Sequence, residues 1–149
     1  MTRTAGHAHA GAPEHPLRQP ILWGLVFGGT QAASPIAFRW LPPATVQALL
    51  LCGIAAVYIG FAVADGRPRV IAVESSIAVA FVVVAATAVT GSAWLLVVGY
   101  AGHGLKDFWQ ERYHYVAHTR WWPPFCAAVD WLLAVILVIE IAAGVNFHH

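Results

Sequence analysis

The longest apolar stretch of the chain runs from Val70 to Gly102 and holds a single charged residue, Glu74. As one helix it would measure about 50 Å, against a bilayer hydrocarbon core of roughly 30 Å. Residues 90–92 near its middle read Thr-Gly-Ser, which is typical of a turn. The stretch therefore predicts two membrane-crossing helices joined by a turn.

The composition of the whole chain agrees with a membrane environment. Hydrophobic residues make up 59% of it and charged residues only 10%, whereas a typical soluble domain carries about 25% charged residues. So little charge excludes an ordinary soluble domain of this length. A formal net charge of +1 gives no basic field, so no nucleic-acid partner is expected. We expect an all-α integral membrane protein in the cell membrane, surrounded by the lipid bilayer.

The chain divides into a tail and a helical domain. Residues 1–19 are rich in Ala, Gly, Pro and His, which predicts a disordered tail. Its histidines are a separate indication of metal binding. Residues 20–146 contain apolar segments near the roughly 20 residues that a membrane crossing needs. The five predicted transmembrane helices cover residues 20–38, 44–64, 70–89, 92–115 and 123–145.

The distribution of positive charge favours five crossings over four. With four crossings, the eight Lys and Arg residues divide equally between the two sides. With five, only Arg39 lies opposite the others, which is the asymmetry expected when cytoplasmic loops collect positive charge. The sequence therefore predicts a cytoplasmic N-terminus. It also predicts that Lys106, Arg112 and Arg120 interact with anionic lipid headgroups.

The fourth predicted helix carries a polar stripe. At about 100° per residue, its polar and titratable side chains fall within one arc of roughly 100°. A carboxylate facing lipid would cost several kcal/mol, so we expect the stripe to face the interior of the bundle. The stripe consists of His103, Asp107, Gln110, Glu111, His114 and His118.

Carboxylates on three helices are expected at similar depth in the membrane. At a rise of about 1.5 Å per residue, Asp107, Glu74 and Asp130 all fall in the cytoplasmic half of the bundle. We expect them to form one polar centre with His103, and these four side chains are the candidate catalytic residues. Without a metal, they could act as a general acid and base.

The same side chains have the chemistry of metal ligands. Imidazole nitrogen and carboxylate oxygen bind Zn²⁺, Fe²⁺ and Mn²⁺, and His103 and Asp107 lie one helical turn apart. Glu74, Asp130 or His114 could complete the ligand shell, so the candidate cofactor is a divalent transition metal such as zinc or iron. A structural hydrogen bond between His103 and a carboxylate is the alternative.

One segment, from Gly102 to Ala134, resembles a group of small multi-spanning bacterial membrane proteins of uncharacterised function. In that group a His-x-x-x-Asp pair on one helix precedes a helix start with Pro-x-x-Cys-x-x-x-Asp. The matching residues here are His103, Asp107, Pro123, Cys126 and Asp130. The resemblance implies a membrane fold and no particular activity. The chain has no HExxH motif, histidine-box set or Gly-rich phosphate loop.

Two classes of function fit these features. The first is a small intramembrane enzyme that acts on a lipid or isoprenoid through the polar centre. The second is a non-enzymatic transport, proton-coupling or accessory subunit. Five short helices enclose little volume, so a homo-oligomer or a membrane partner is expected in both cases. Gly24, Gly28 and Gly29 give the first helix a small-residue face that suits close helix contact, within the chain or between chains.

Overall fold

The computed structural model describes residues 17–148, and this part of the chain is helical with no strands. The predicted all-α class is therefore confirmed. The disordered tail predicted for residues 1–19 falls mostly outside the described residues. The helices are α1 (Arg18–Ala32), α2 (Ser34–Ala37), α3 (Pro43–Asp65), α4 (Pro68–Thr90), α5 (Trp94–Tyr113) and α6 (Trp122–Ala142).

Three of these helices, α3, α4 and α6, are long and apolar enough to cross a membrane. Their mean hydropathy reaches 2.2, 2.2 and 2.3 over the most apolar window. Only 39%, 22% and 39% of those windows is buried inside the protein, so most of this apolar surface faces outward. Outward-facing apolar surface on this scale indicates a lipid bilayer environment.

The helix boundaries follow from proline and glycine. Gly66 adopts a φ of 79° directly after α3, a left-handed conformation that costs glycine little. Proline stands in the first turn of α3, α4 and α6, where its missing N–H breaks no helical hydrogen bond. The turn predicted at residues 90–92 is confirmed, since α4 ends at Thr90 and α5 begins at Trp94.

The first predicted span is interrupted rather than continuous to residue 38. Helix α1 ends at Ala32, and the short α2 begins at Ser34 with proline in its first turn. Pro35 cannot donate a backbone hydrogen bond, and its ring would clash with the carbonyl of Gln31 in a continuous helix. The helix is therefore interrupted between Ala32 and Ser34, before the chain reaches α3.

Helix α1 lies very close to α6 along a glycine face. A Cβ added at Gly24 would overlap the carbonyl oxygen of Phe125 and approach the Cβ of Ala128 to 2.8 Å. At Gly28 it would meet the Cα of Val129 at 3.3 Å, whereas nothing lies within 4 Å of one added at Gly29. Two of the three predicted contact glycines thus form a contact within the chain.

The C-terminal segment folds back onto the bundle. The carbonyl of Phe147 accepts a hydrogen bond from the N–H of Ala44 at 3.0 Å, and its ring is buried in the main apolar core. The imidazole Nε2 of His148 lies 3.1 Å from the carbonyl oxygen of Ala88. The segment after α6 therefore contacts the first turn of α3 and the last turn of α4.

Candidate metal centre

Helix α5 buries polar side chains and exposes apolar ones. It packs against α3, α4 and α6. His103, Asp107 and Gln110 are almost completely buried, whereas Leu105 and Phe108 are 65% and 61% exposed. The arrangement is the reverse of that of a soluble amphipathic helix. The inward orientation expected for the polar stripe is therefore found for its central residues.

The polar stripe ends earlier than the sequence suggested. Helix α5 stops at Tyr113, and His114 takes the left-handed conformation with a φ of 48°. His118 lies in the loop beyond, with a φ of 60°. Both side chains are exposed, because the helical periodicity that placed them on the stripe does not extend past residue 113. The predicted metal ligand His114 lies outside the buried centre.

His103, Asp107 and Asp130 meet in the interior. The Nδ1 atom of His103 lies 2.7 Å from Oδ2 of Asp130 and 3.4 Å from Oδ2 of Asp107. Asp107 is one turn from His103 on α5, while Asp130 comes from α6. The three side chains are at most 1% exposed. The structure thus brings together three of the four predicted catalytic residues.

Gly104 allows α6 to approach α5 at this point. A Cβ on Gly104 would lie 2.8 Å from Nε1 of Trp131 and 3.3 Å from the Cβ of Asp130. A methyl group at this position would require the Trp131 ring to shift and would crowd the Cβ of Asp130. The glycine next to His103 is therefore part of what places a second carboxylate at the centre.

The carboxylates of the centre have unused acceptor capacity. Oδ1 and Oδ2 of Asp107 and Oδ1 of Asp130 make no hydrogen bond with the described residues. One donor atom from each of His103, Asp107 and Asp130 lies within 4.8 Å of the others. Buried carboxylates without a partner are costly, and the cost is relieved by a proton or a cation. The group has the geometry of a site for one small cation.

Glu74 forms a separate pair with Lys106. Lys106 Nζ lies 2.8 Å from Oε2 of Glu74, and the two side chains are 9% and 1% exposed. The same ammonium sits 3.0 Å from the centroid of the Tyr58 ring, in a cation–π contact. The predicted role of Lys106 as a lipid-headgroup anchor is wrong, because α5 directs this side chain inward to a carboxylate of α4. The predicted catalytic Glu74 is buried next to that lysine.

Aromatic rings line the centre on the side of α3 and α4. The ring centroid of His103 lies 5.0 Å from that of Phe81 and 6.0 Å from that of Tyr58. The hydroxyl of Tyr58 has no hydrogen-bond partner among the described residues. The sequence reasoning missed Tyr58, although it is the single tyrosine of α3.

Two loops are held together next to the ends of α3 and α5. The carboxylate of Asp65 accepts hydrogen bonds from the guanidinium of Arg67 at 2.6 and 2.8 Å and from the N–H of Ala117 at 2.7 Å. Arg67 also donates to the carbonyl of Tyr115 at 2.7 Å. Hydrogen bonding to Asp65 raises the pKa of Arg67 above its usual range. These contacts fix the α5–α6 loop against the α3–α4 turn.

Comparison with known proteins gives no counterpart for this arrangement. No protein-family model, curated protein or solved structure matches the chain. The resemblance of residues 102–134 to small bacterial membrane proteins stays a prediction.

Proposed function

We propose that this chain is a five-span membrane protein whose His103, Asp107 and Asp130 hold one divalent transition metal, and that the centre is the active site of an enzyme acting on a lipid or isoprenoid. The observation that carries the proposal is the convergence of one imidazole and two carboxylates in a fully buried position. Three of the four carboxylate oxygens there have no hydrogen-bond donor within residues 17–148.

Charge balance favours a divalent cation over a proton. With a neutral imidazole, the two carboxylates carry a charge of about −2, which one divalent ion neutralises completely. A single proton on His103 would leave a net charge of about −1 in a low-dielectric interior, and neutralisation by protons alone would need a second proton on one of the carboxylates. The nearby pair of Glu74 and Lys106 is already neutral and 2.8 Å apart, so it supplies no compensation.

Three protein ligands would leave one coordination position of the metal open for water or substrate. Zinc and related ions take four or more ligands at about 2.0–2.2 Å from nitrogen and oxygen, and catalytic sites use three protein ligands plus an open position. His103, Asp107 and Asp130 supply three such ligands. When bound, the metal would supply a water that ionises near neutral pH. Phe81 and Tyr58 lie beside His103. Their rings restrict the access of bulk water to the centre on the side covered by α3 and α4.

The five-span topology is supported by the outer surface of α5. The polar side chains of this helix face α4 and α6, while Trp94, Val98 and Leu105 are each at least half exposed. A helix that hides charge and exposes aromatic and aliphatic side chains suits a lipid surrounding. With Lys106 buried, the positive charges that remain still divide six to one between the two sides of a five-span bundle, which favours a cytoplasmic N-terminus.

Cysteine labelling tests this topology. In a Cys52→Ala/Cys126→Ala background, Ser92→Cys and His118→Cys place exposed thiols at the two ends of α5. We expect a membrane-impermeant maleimide to reach only one of them from a given side of sealed vesicles. The control Arg69→Cys should be labelled from the same side as His118→Cys. Labelling of positions 92 and 118 from one side would show that α5 does not cross.

Metal analysis tests the centre itself. We expect purified, tag-free protein to contain about one Zn, Fe or Mn per chain, and Asp107→Asn and Asp130→Asn to lose at least about tenfold in metal affinity. Deletion of residues 2–16 removes the tail histidines, and Glu140→Gln removes a carboxylate of α6 outside the centre. Both controls should keep the metal.

The absence of bound metal would contradict the proposal. Folded wild-type protein that stays metal-free after incubation with each of these ions would overturn the proposal. Proton coupling would then be favoured, because Glu74, Lys106 and Tyr58 bring titratable groups of three helices together. In that case proteoliposomes should show proton movement that Glu74→Gln abolishes.

A further inference from the structure

The loop between α5 and α6 places one apolar side chain inside the bundle. Val116 is buried and packs in a small apolar cluster with Tyr58, Ala62 and Val70. Ala62 lies in the last turn of α3 and Val70 in the first turn of α4, so Val116 is the member of the cluster that a loop supplies. Because its burial removes apolar surface from water, it holds the loop against the ends of these two helices.

Polar side chains lie on the inner side of this apolar cluster. Lys106 and Glu74 form their buried ion pair 2.8 Å apart, and Val70 is one helical turn closer to the end of the bundle than Glu74. Gln110 is completely buried, and neither its amide nitrogen nor its amide oxygen has a hydrogen-bond partner among the described residues. An unpaired buried amide is costly. Val116 therefore closes the end of a polar interior.

Polar contacts from the α3–α4 turn hold the loop in place. The carboxylate of Asp65 accepts a hydrogen bond from the N–H of Ala117 at 2.7 Å, and the guanidinium of Arg67 donates to the carbonyl of Tyr115 at 2.7 Å. The residues on both sides of Val116 are therefore tied to the same turn. Arg67 also pairs with Asp65 at 2.6 Å, and its side chain is 57% exposed. We call these contacts the latch.

The backbone of the loop is strained at two positions. His114 has a φ of 48° and His118 a φ of 60°, a left-handed conformation that residues other than glycine adopt rarely. Such conformations persist only where the surrounding structure imposes them. Here the latch and the burial of Val116 impose them, so release of either would let the loop relax away from the bundle.

We infer that residues 114–119 form a lid over the polar interior, with Val116 as the plug, and that local opening of this lid admits water to Gln110 and Lys106. Opening requires movement of the loop alone, because the rest of the apolar cluster belongs to helices α3 and α4. Segments held by few contacts open locally without unfolding of the whole protein. The inference goes beyond the proposed function, since it holds whether or not the centre binds a metal.

Thiol accessibility in nanodiscs tests the lid. In the Cys52→Ala/Cys126→Ala background, Val116→Cys reports on the plug and Gln110→Cys on the interior beneath it. The probe is a charged methanethiosulfonate that does not enter lipid, and mass spectrometry follows its rate of reaction. We expect both thiols to react slowly. Arg67→Ala should accelerate both at least about tenfold, the effect of losing a hydrogen bond to a charged group.

Three controls accompany this measurement. Arg69→Ala removes another exposed arginine of the same segment that takes no part in the latch, so it should leave both rates unchanged. Ala44→Cys places a buried thiol at the other end of α3, and Arg67→Ala should not accelerate its reaction. His118→Cys is exposed and should react fast in every background. Since Arg67 and Arg69 are at the surface, both variants should fold, and circular dichroism checks this together with the thiol reporters.

Three results would overturn the inference. An unchanged rate at Val116→Cys in the Arg67→Ala variant means that the latch does not hold the loop. Equal acceleration at Ala44→Cys means that the whole bundle has loosened. Acceleration at Val116→Cys without acceleration at Gln110→Cys means that the loop moves without opening the interior. The metal content of the same proteins is a separate readout, so failure of the proposed function and failure of the lid are distinguishable.

Discussion

Glu74→Ala should destabilise the protein by about 3–5 kcal/mol, because it leaves the Lys106 ammonium buried without its counter-charge. In the structure the two groups are 2.8 Å apart and at most 9% exposed. The face of the Tyr58 ring remains as a partner, but a cation–π contact contributes only about 0.5–2 kcal/mol. Equilibrium unfolding of the purified protein in detergent micelles measures the effect.

A double substitution separates this cause from a simple loss of packing. Glu74→Leu combined with Lys106→Met removes both charges and keeps apolar volume, so it should recover most of the lost stability. Glu140→Ala, which removes a half-buried carboxylate outside this pair, should have a much smaller effect. If Glu74→Ala and the double variant are equally unstable, the ion pair is not what holds α4 against α5.

Gly24→Ala should destabilise the contact between α1 and α6 by about 1–3 kcal/mol, the usual cost of overpacking. The added methyl group would overlap the carbonyl oxygen of Phe125 and crowd Ala128. A backbone carbonyl cannot rotate away like a flexible side chain, so α1 has to shift as a whole. Thermal unfolding in detergent and the proteolysis rate of the α1–α2 segment report the change.

Gly29→Ala is the matched control for this prediction. It makes the same chemical change in the same helix, and nothing lies within 4 Å of the added methyl group. Alanine is favoured over glycine inside a helix by about 1 kcal/mol, so Gly29→Ala should be neutral or stabilising. Equal destabilisation by both substitutions would contradict the close packing of Gly24 against α6.

Much of the fold could be predicted from residue types that act locally. Proline and glycine end or start helices through their own backbone chemistry, so the turns at Gly66 and residues 90–92 were visible in the sequence. Pro35 carries the same kind of signal, but its position in the middle of an apolar segment hid the break that it causes. The segment reads as one span because hydropathy averages over a window and ignores a single missing N–H.

The candidate site was predictable where helical periodicity applied. His103 and Asp107 are one turn apart. Because a charged group facing lipid is costly, both side chains were expected to face the interior of the bundle. The same reasoning was wrong for His114 and His118, because α5 ends at Tyr113 and helical periodicity does not apply beyond it. Similar depth in the membrane was enough to predict that Asp130 lies near His103. Which side chains pair is a property of packing, so no pattern in the sequence could show that Glu74 pairs with Lys106 instead of joining that centre.

The buried position of Phe147 affects where a tag can be fused to this protein. Its carbonyl satisfies the N–H of Ala44 in the first turn of α3, and its ring fills part of the apolar core. Affinity tags and reporter proteins fused at the C-terminus would therefore be anchored within a few residues of a core contact. A linker placed after His149 would spare that contact, whereas fusions that trim the last three residues would expose the start of α3.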